Sequence, residues 1–529
     1  MSGTHSYNLL SERWIPITWH NDAAEPREPK VDIMEALQRS HDIRGISHTS
    51  PFIEFGIHRL LITIILDAYT LAGMRPTVGK MRAMIEGGCF NHLILREYLE
   101  TYKKGFDLWS DKHPFLQMST DDVKSDEIAK MIAPIPSGTK ITFWHHYYEH
   151  ETALDEGEAA QELCATMPFC FDYAPKDICT IGGDPPLYIL VHGNSLFETL
   201  IFNLPRPSGR LTVQQEIEGG PLWRSPVDNP ATVPASPTIT QGWTWPVRQI
   251  HLKCSEDSST ITTAVNIAGA NKTVARGIVR GWRDPNSGII TDSTGLRHIR
   301  PNDLFPDFGR STSACTPAII WRDLVPMCFV GSEGEVLRGQ RVRSRPEVIT
   351  NALRIMDGRM VRFAAYGFLD KGGKNNKVFR TWFRSVFIFP TEVALDNRLA
   401  ARAIDAFRIA QKVADVLQTA LRMIRAPSEV KKTAKKTMHR AEIDSLSRFW
   451  QHLELPLSGT YMEALGGGDQ AAEQELRAVM CREARDAFAR ATGPHRRTAD
   501  GLFRIANADN WFRGQLSRLL SKPGKEKKT

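Results

Sequence analysis

The sequence predicts an α/β (mixed α+β) fold, with a large, irregular N-terminal domain at residues 1–390 and a C-terminal four-helix bundle at residues 391–521. Three observations lead to this prediction. With 529 residues, the chain is longer than a single hydrophobic core usually supports, so two or more domains are expected. Short apolar runs broken by Pro and Gly are typical of mixed structure in the first domain. Helical periodicity dominates the second domain, and the basic tail 522–529 is expected to be disordered.

The N-terminal domain contains one clear helix and two clear strands. Residues Phe52–Ala72 predict a long helix, whose polar interruptions leave it short of the roughly 20 apolar residues that cross a bilayer. We therefore expect it to be a buried helix. Tyr188–Val191 and Val386–Phe389 have the composition of buried strands. Between them, residues 205–246 are rich in Pro, Ser, Thr and Gly, which predicts a long surface excursion or a subdomain junction.

The C-terminal domain is predicted to begin at Pro390-Thr391, where Thr391 can cap a helix. Apolar residues then recur at spacings of three and four, as on a helix with one buried face: Leu395, Leu399, Ala403, Phe407, Ala410, Ala414, Leu417, Leu421 and Ile424. Further helices are predicted around residues 428–454, 470–492 and 499–521, which gives the four-helix pattern. The predicted breaks between them are Leu455-Pro456, Gly466–Gly468 and Gly493-Pro494.

The positive charge is concentrated near the C-terminus. The net charge is +7, and residues 392–529 hold 25 Lys and Arg against 17 Asp and Glu. This excess favours a polyanionic partner. The eight cysteines include no CxxC pair and no disulfide-dense spacing, and the polar N-terminus leads into no apolar signal core. Both features predict a cytoplasmic protein.

The familiar catalytic motifs are absent from the sequence. It contains no GxxxxGK[ST] phosphate loop, no GxSxG elbow, no HExxH and no paired CxxC metal knuckle, so we expect a protein that is not an enzyme. One group has the residue types of a zinc site: His145, His146, His150, Cys164, Cys170 and Cys179. Its spacing fits no closed zinc module. We therefore prefer an interpretation without metal or cofactor, and the alternative is a metal-dependent nuclease that also uses His41-Asp42.

A basic stretch with interleaved aromatic residues precedes the predicted bundle. Residues 338–384 contain 12 Lys and Arg but three acidic residues. Its aromatic residues are Phe363, Tyr366, Phe368, Phe379, Trp382 and Phe383. They either stack on bases while the cations meet phosphates, or they are core strand residues, which is the favoured alternative. Within the stretch, Lys371–Lys377 reads as a tight, cationic loop between two strands, suited to probing a groove or entering between base pairs.

Several segments occur in an order that is found in one known family. They are Asn8–Ile17, Phe106–Trp109, His113–Gln117, Tyr188–Leu200 and Trp282–Pro285. Together with the C-terminal helices, they extend over nearly the whole chain. The sequence resembles the CasA family, the large subunit of the type I-E CRISPR Cascade surveillance complex.

The resemblance implies a non-catalytic subunit of a crRNA-guided complex. Members of the family recognise the PAM, the short motif beside a double-stranded DNA target, promote local duplex opening and R-loop formation, and help recruit the helicase-nuclease in antiviral defence. Guide RNA pairing reads the rest of the target. The implied partners are the target DNA, the crRNA, the helicase-nuclease, and the backbone, small and crRNA-end-binding Cascade subunits, with no membrane. A third possibility is a subunit that only joins other subunits through its helices.

The most specific carry-over concerns the loop in the basic stretch. Gly373, Lys374, Asn375, Asn376 and Lys377 fall where the family has a wedge loop that enters the duplex beside the PAM. The best-known members have a glutamine at the position of Lys377. We therefore expect more electrostatic wedge chemistry in this chain.

Other residues correspond to further contacts of the family. The loop that reaches the crRNA end and the PAM matches Phe143, Trp144 and His145. The minor-groove contacts match Lys176, Gly182, Gly183 and Arg297, with His298 as the alternative to Arg297. Only the pair Gly182-Gly183 remains of the family's glycine-rich loop. A basic face of the bundle is predicted separately, from the lysine run Lys431, Lys432, Lys435 and Lys436.

Overall fold

The structure is a computed structural model, and it describes part of the chain. The described residues are 5–20, 28–118, 125–132, 153–169, 180–183, 185–207, 209–227, 233–246, 248–253, 263–269, 279, 282–292, 295–299, 321, 324–325, 328–329, 342–356, 360–370, 379–425, 440–469 and 471–521. Contacts divide the chain into two compact units. Unit 1 comprises residues 1–301, 345–355 and 363–384, and unit 2 comprises residues 302–344, 356–362 and 385–529. The predicted domain boundary at residues 390 and 391 stays a prediction.

Unit 1 mixes helices with small sheets. Its described helices are α1 (Ile33–Gln38), α2 (Pro51–Leu71), α3 (Val78–Gly87), α4 (His92–Thr101), α5 (Glu156–Phe169), α6 (Leu196–Phe202), α7 (Val213–Glu218), α8 (Ile239–Thr244) and α9 (Glu347–Ile355), with 3₁₀ turns at Lys103–Phe106 and Ile128–Met131. Its described strands are β1 (Ile15–Trp19), β2 (Lys30–Val31), β3 (Ile43–Ile46), β4 (Ser125–Glu127), β5 (Tyr188–His192), β6 (Arg248–Lys253), β7 (Thr263–Gly269), β8 (Ile289–Asp292) and β9 (Gly295–His298).

The strands form short sheets. Antiparallel β2-β1-β3 and β4-β7-β6 each have three strands, and β8 pairs antiparallel with β9. A further sheet has the order β12-β11-β5, where β11 is Met360–Asp370 and β12 is Phe379–Pro390. The predicted strand at Tyr188–Val191 is confirmed as β5. The fold is mixed and helix-rich, as the sequence predicts.

Helix α2 is the buried helix that the sequence predicts. All of its residues except Leu71 are buried, because a helix that is apolar on every side must be covered on every side. Gly56 lets α5 approach closely, since a Cβ at this position would lie 2.5 Å from the carbonyl oxygen of Cys164. No helix in the described part of the chain is long and apolar enough to cross a membrane.

The tryptophan and isoleucine of the opening segment Asn8–Ile17 have a structural role. Trp14 and Ile15 are completely buried, and the indole of Trp14 donates to the carbonyl of Leu9 at 3.2 Å. Asn8 accepts from the backbone N–H of Leu10 through its side chain. Burial and hydrogen bonding fix these residues at the start of β1, while Ser11, Glu12 and Arg13 between them are exposed.

Two expectations for the N-terminal region are corrected. The strand at residues 386–389 is not buried on both faces, because Val386 and Ile388 are 41% and 48% exposed while Phe387 and Phe389 are buried. This is the alternation of a strand that covers the core with one face. The segment 205–246 is also no simple surface excursion. It contains α7 and α8, and it contributes buried tryptophans to the core: Trp223, Trp243 and Trp245.

Unit 2 is mainly helical in its described part. It contains β10 (Val342–Ser344), α10 (Thr391–Leu395), α11 (Asn397–Met423), α12 (Arg440–Leu453), a π-helix (Glu454–Thr460), α13 (Tyr461–Gly466), α14 (Ala472–Thr492), a 3₁₀ turn (Gly493–Arg497) and α15 (Ala499–Leu520). Helix α11 contacts α12, α14 and α15. Its apolar stripe is buried from Ala403 to Ile424. The arrangement of these helices as a four-helix bundle stays a prediction.

Two helix boundaries differ from the predicted ones. A single helix starting at Thr391 is wrong, because Asp396 adopts an extended conformation and caps α11 by accepting from the backbone N–H groups of Arg398 and Leu399. Leu395 consequently leaves the stripe and is 46% exposed. The predicted break at Leu455-Pro456 is also wrong. Pro456 lacks an N–H but keeps its carbonyl, which accepts from the N–H of Tyr461, so the π-helix continues into α13.

Candidate nucleic-acid interface

The structure describes both strands of the predicted wedge hairpin. Strands β11 and β12 are neighbours in one sheet, and they end on either side of residues 371–378. The predicted loop Gly373–Lys377 itself lies outside the described residues. What the structure adds is the anchorage of the two strands in unit 1.

Three side chains, which we call the hairpin base, join these strands to α2. The hydroxyl of Tyr366 on β11 donates to Glu54 Oε1 at 2.7 Å, and Arg384 Nε on β12 donates to the same oxygen at 3.1 Å. Burial raises the pKa of Glu54, while Arg384 and Tyr366 lower it. Because Glu54 accepts two hydrogen bonds from two strands, the hairpin base fixes both strands to one point on the helix.

Aromatic packing reinforces this anchorage. The ring of Phe52 on α2 lies 5.4 Å from Trp382 and 6.2 Å from Phe368, both edge-to-face. Phe363, Tyr366 and Phe383 are buried, so the core-strand interpretation is confirmed for these three. They have no exposed face on which a base stacks. The side chain of Phe379 lies outside the described residues.

Residues 180–183, which we call the glycine turn, form a tight closure. Thr180 and Gly183 exchange two backbone hydrogen bonds, at 3.0 and 2.9 Å. Gly183 has φ = +104°, a conformation that favours glycine. At Gly182 a Cβ would lie 2.9 Å from Trp282 Cδ1 and 3.0 Å from His298 Nε2. Both glycines therefore have a structural reason to be glycine: one for its backbone angle and one for a close approach.

A second group of α2-linked side chains, which we call the turn floor, lies beneath the glycine turn. Arg59 on α2 forms a buried ion pair with Asp284, with Nη2 3.0 Å from Oδ2, and its guanidinium lies over the rings of Tyr188 and Trp243. His298 completes the floor. Burial lowers the pKa of His298, and neither of its ring nitrogens has a hydrogen-bond partner among the described residues.

The structure places Arg297 and His298 on β9, the second strand of the β8–β9 hairpin. His298 is 6% exposed, so it does not face a groove. The backbone of Arg297 pairs with Ile290, and its side chain lies outside the described residues. The other predicted contact residues lie entirely outside the described residues: Phe143, Trp144, His145, Lys176, Lys431, Lys432, Lys435 and Lys436.

The metal alternative gains nothing from the described residues. Cys164 is buried in α5, and burial raises the pKa of its thiol, which disfavours the thiolate that a metal needs. His41 lies 3.5 Å from its neighbour Asp42. Within the described part of the chain, no three His, Cys, Asp or Glu side chains are grouped closely enough to hold a metal ion.

Sequence reasoning misses the hairpin base and the turn floor. Both depend on a charged residue of α2, Glu54 and Arg59, inside an otherwise apolar helix. That pattern was a usable signal, because a charge that is buried on a helix requires a partner of opposite charge or several hydrogen bonds. The sequence alone does not say which distant residue supplies that partner.

Comparison with known proteins decides the family. The sequence matches the family of CRISPR-associated protein Cse1 (CRISPR_cse1) over residues 8–491. The chain belongs to the Cse1 family. The resemblance to the CasA family is thereby confirmed.

Individual relatives agree with this membership. CRISPR-associated protein CasA/Cse1 of Thermus thermophilus is 27% identical over 270 residues, which are 48% of this chain and 50% of that protein. The chain thus matches about half the length of this curated relative. The fold is shared with Thermobifida fusca Cse1, at a TM-score of 0.72 and 19% identity over 98% of both chains. It is also shared with a structure of Thermus thermophilus CasA (Cse1), at a TM-score of 0.69 and 19% identity over 97% of this chain and 99% of the other.

Proposed function

We propose that this Cse1 family member is the large, non-catalytic subunit of a crRNA-guided surveillance complex in the cytoplasm. In this role it recognises the PAM of double-stranded DNA, promotes local duplex opening and R-loop formation, and helps recruit the helicase-nuclease. Family membership supports the proposal. So does a similar fold, at a TM-score of 0.67 and 18% identity, in a structure described as a CRISPR RNA-guided surveillance complex, which covers 96% of this chain and 99% of the other.

The observation that carries the proposal is the anchorage of β11 and β12. A loop that separates base pairs must resist the force of the duplex closing again, so its two strands need a rigid attachment. The hairpin base supplies two hydrogen bonds to Glu54, at strand positions whose far ends lead into Gly373–Lys377. The polar and cationic residues of that loop suit a nucleic acid, which presents both hydrogen-bonding base edges and phosphates.

The double variant Asn376→Ala/Lys377→Ala tests the wedge role. We expect the complex to open the target duplex less, because the loop loses its amide and its positive charge, while the melting temperature of the chain is unchanged. Permanganate footprinting of thymines beside the PAM measures the opening. Lys80→Ala, an exposed lysine in α3, is the charge-matched control. Strand separation equal to the wild type in the double variant would contradict the proposal.

Further nucleic-acid contacts are proposed from the resemblance to the CasA family and from the lysine run. Phe143, Trp144 and His145 reach the crRNA end, and Lys176, Gly182, Gly183 and Arg297 contact the minor groove. A C-terminal four-helix bundle, in which helix α11 contacts α12, α14 and α15, presents Lys431, Lys432, Lys435 and Lys436 to DNA. If so, replacing these lysines by alanine flattens the salt dependence of DNA binding by up to about 0.9 per lost phosphate contact. An unaltered slope would make the run a solvated surface.

The non-catalytic part of the proposal has a direct test. The purified chain, and the same chain in its co-expressed complex, are incubated with duplex DNA, with and without a chelator. We expect binding without cleavage in every case. Chelator-sensitive cleavage by the purified chain would establish the nuclease instead, and binding with no preference for flanking sequence would indicate a subunit that only joins other subunits.

A further inference from the structure

A large cavity in unit 1 is lined in part by Trp282, the residue that also approaches Gly182 of the glycine turn. Its volume is about 390 Å³, which falls in the range of small-molecule sites, about 300–1,000 Å³. The end of α2, the start of α8 and Glu347 on α9 contribute to its wall. The described residues that line the cavity all belong to unit 1.

The wall of the cavity has an excess of positive charge. Its charged lining residues are Arg75, Arg206, Arg210, Arg283, Asp67, Glu216 and Glu347. The three carboxylates already have cationic partners, since Asp67 pairs with Arg224 at 2.8 Å, Glu216 with Arg75 at 2.6 Å and Glu347 with Arg206 at 3.8 Å. With Arg224 included, the described residues at the cavity comprise five arginines and three carboxylates. Arg210 and Arg283 are the exposed members of this set.

Two of the paired arginines are also incompletely satisfied. The Nε of Arg75 and the Nε of Arg206 are buried without a hydrogen-bond partner among the described residues. Each of these N–H groups lacks an acceptor within hydrogen-bond distance among the described residues, although Arg206 Nε lies 3.8 Å from the carboxylate of Glu347. An additional anion in the cavity lowers the electrostatic cost of keeping these charges together.

The cavity also offers an aromatic surface and hydroxyl groups. Trp282 is half-buried and lines the cavity together with Ser236, Thr238 and Thr240. Its ring has a fixed position, because the far edge packs so closely on Gly242 that a Cβ there would overlap Trp282 Cη2. A rigid indole is a good stacking surface for a nucleobase, and stacking tolerates any base.

We propose that this cavity binds a nucleoside phosphate, with the phosphate at Arg210 and Arg283 and the base against Trp282. A phosphate monoester carries about −1.5 to −2 charges at neutral pH, which suits a wall whose described residues include more arginines than carboxylates. Guanidinium groups bind phosphate through two parallel hydrogen bonds. The ligand is either a free mononucleotide or one nucleotide of a nucleic-acid strand. The inference goes beyond the proposed function and does not depend on PAM recognition.

Calorimetric titration of the full-length chain with adenosine monophosphate tests the proposal. We expect binding that is at least about tenfold weaker in Arg210→Ala/Arg283→Ala, the loss of affinity expected for a charge-assisted hydrogen bond. The matched control is Arg44→Ala/Arg96→Ala, which removes two exposed arginines elsewhere in unit 1 and keeps the wild-type affinity. No binding by the wild type, or an equal loss in the control, would overturn the proposal.

Two further experiments, a pair of separate titrations and a competition, test the ligand class. Inorganic phosphate and adenosine are titrated separately, and each is expected to bind more weakly than the nucleotide. Phosphate binding as tight as that of the nucleotide would remove the role of Trp282 and overturn the assignment. A 5′-phosphorylated oligoadenylate is then used as a competitor. Displacement of the nucleotide identifies a nucleic-acid strand as the source, whereas no displacement identifies a free nucleotide, and both outcomes support the site.

A gain of affinity separates binding from misfolding. Glu216→Gln removes a carboxylate from the wall while Arg75 keeps its charge, so we expect the nucleotide to bind several-fold more tightly. A damaged fold does not raise affinity. Glu218→Gln, on the same helix but outside the cavity lining, is the control with unchanged affinity. Weaker or unchanged binding in Glu216→Gln would contradict the electrostatic argument.

Discussion

The hairpin base and the turn floor are both attached to helix α2, and they differ in how completely their polar groups are satisfied. In the hairpin base, the carboxylate of Glu54 accepts from two donors, and Arg384 is 40% exposed. In the turn floor, Arg59 and its partner Asp284 are 7% and 6% exposed. There, Arg59 Nε and both ring nitrogens of His298 are buried without a partner among the described residues.

Because of this difference, the two networks should respond differently to the loss of one member. A satisfied network tolerates the loss of one member, because solvent reaches part of it and other hydrogen bonds remain. A dry and incompletely satisfied network is more sensitive, because each remaining group is left uncompensated in a low dielectric. We therefore expect the turn floor to respond strongly to the loss of its charged member and to pH, while the hairpin base responds weakly to the loss of its own. The predictions below test this contrast.

The largest effect is expected for Arg59→Met. The substitution removes the cationic partner of the buried Asp284 carboxylate, which keeps hydrogen bonds from Trp243 Nε1 and the backbone N–H of Asn286. It also removes the guanidinium from the rings of Tyr188 and Trp243. Breaking a buried ion pair costs about 3–5 kcal/mol. Urea unfolding, followed by tryptophan fluorescence, measures the free energy of unfolding. The exposed substitution Arg96→Met serves as the control and is expected to change it by less than about 0.5 kcal/mol.

The corresponding substitution in the hairpin base is Arg384→Met. It removes one donor to Glu54, but the hydrogen bond from Tyr366 remains. We therefore expect the free energy of unfolding to fall by about 1–2 kcal/mol. The order of the two losses matters more than their size. If Arg384→Met destabilised the chain as much as Arg59→Met, the contrast between the two networks would not hold.

The contribution of two buried histidines to stability is expected to fall on acidification below about pH 6.5, the ordinary pKa of histidine. Burial lowers the pKa of His58 to about 4 and also lowers that of His298. Both groups bind a proton more readily in the unfolded chain, so stability is lost as the pH falls toward their folded pKa values. For His58, the loss between pH 7 and pH 5 is about 2 kcal/mol.

Substitution of these histidines tests the origin of the acid sensitivity. The double variant His58→Gln/His298→Gln cannot titrate at either position, so acidification from pH 7 to pH 5 should lower its free energy of unfolding less, or raise it more, than that of the wild type. His41→Gln, at an exposed histidine, should keep the wild-type pH dependence. A double variant with an unchanged slope would place the acid-sensitive groups elsewhere.

Features that depend on local pattern could be predicted from the sequence. The all-round apolar character of α2 predicts a buried helix, and the apolar stripe of α11 predicts the face that is buried from Ala403 to Ile424. The motif around Trp14 also identifies the family correctly. These features lie within a few turns of one helix or one strand, so periodicity and composition are sufficient to find them.

Features that depend on distant partners could not be predicted. Glu54 meets Tyr366 across 312 residues, and Arg59 meets Asp284 across 225 residues. No local pattern encodes which residues meet at such separations. The predicted helix boundary was also wrong where a single capping side chain, rather than the apolar periodicity, sets the helix start. Asp396 caps α11 and ends the shorter helix before it.

The smallest of these effects is expected for Gly182→Ala in the glycine turn. The added methyl group would meet Trp282 Cδ1 at 2.9 Å and His298 Nε2 at 3.0 Å, so the ring side chains must shift by a few tenths of an ångström. Overpacking of this kind costs on the order of 1 kcal/mol. Gly79→Ala is the matched control, since a Cβ at Gly79 has nothing within 4 Å among the described residues, and alanine favours its helix. A turn that tolerates Gly182→Ala as readily as α3 tolerates Gly79→Ala would mean that the turn floor is loose, and the unpaired nitrogens of His298 would then be a sign of mobility rather than of tight, dry packing.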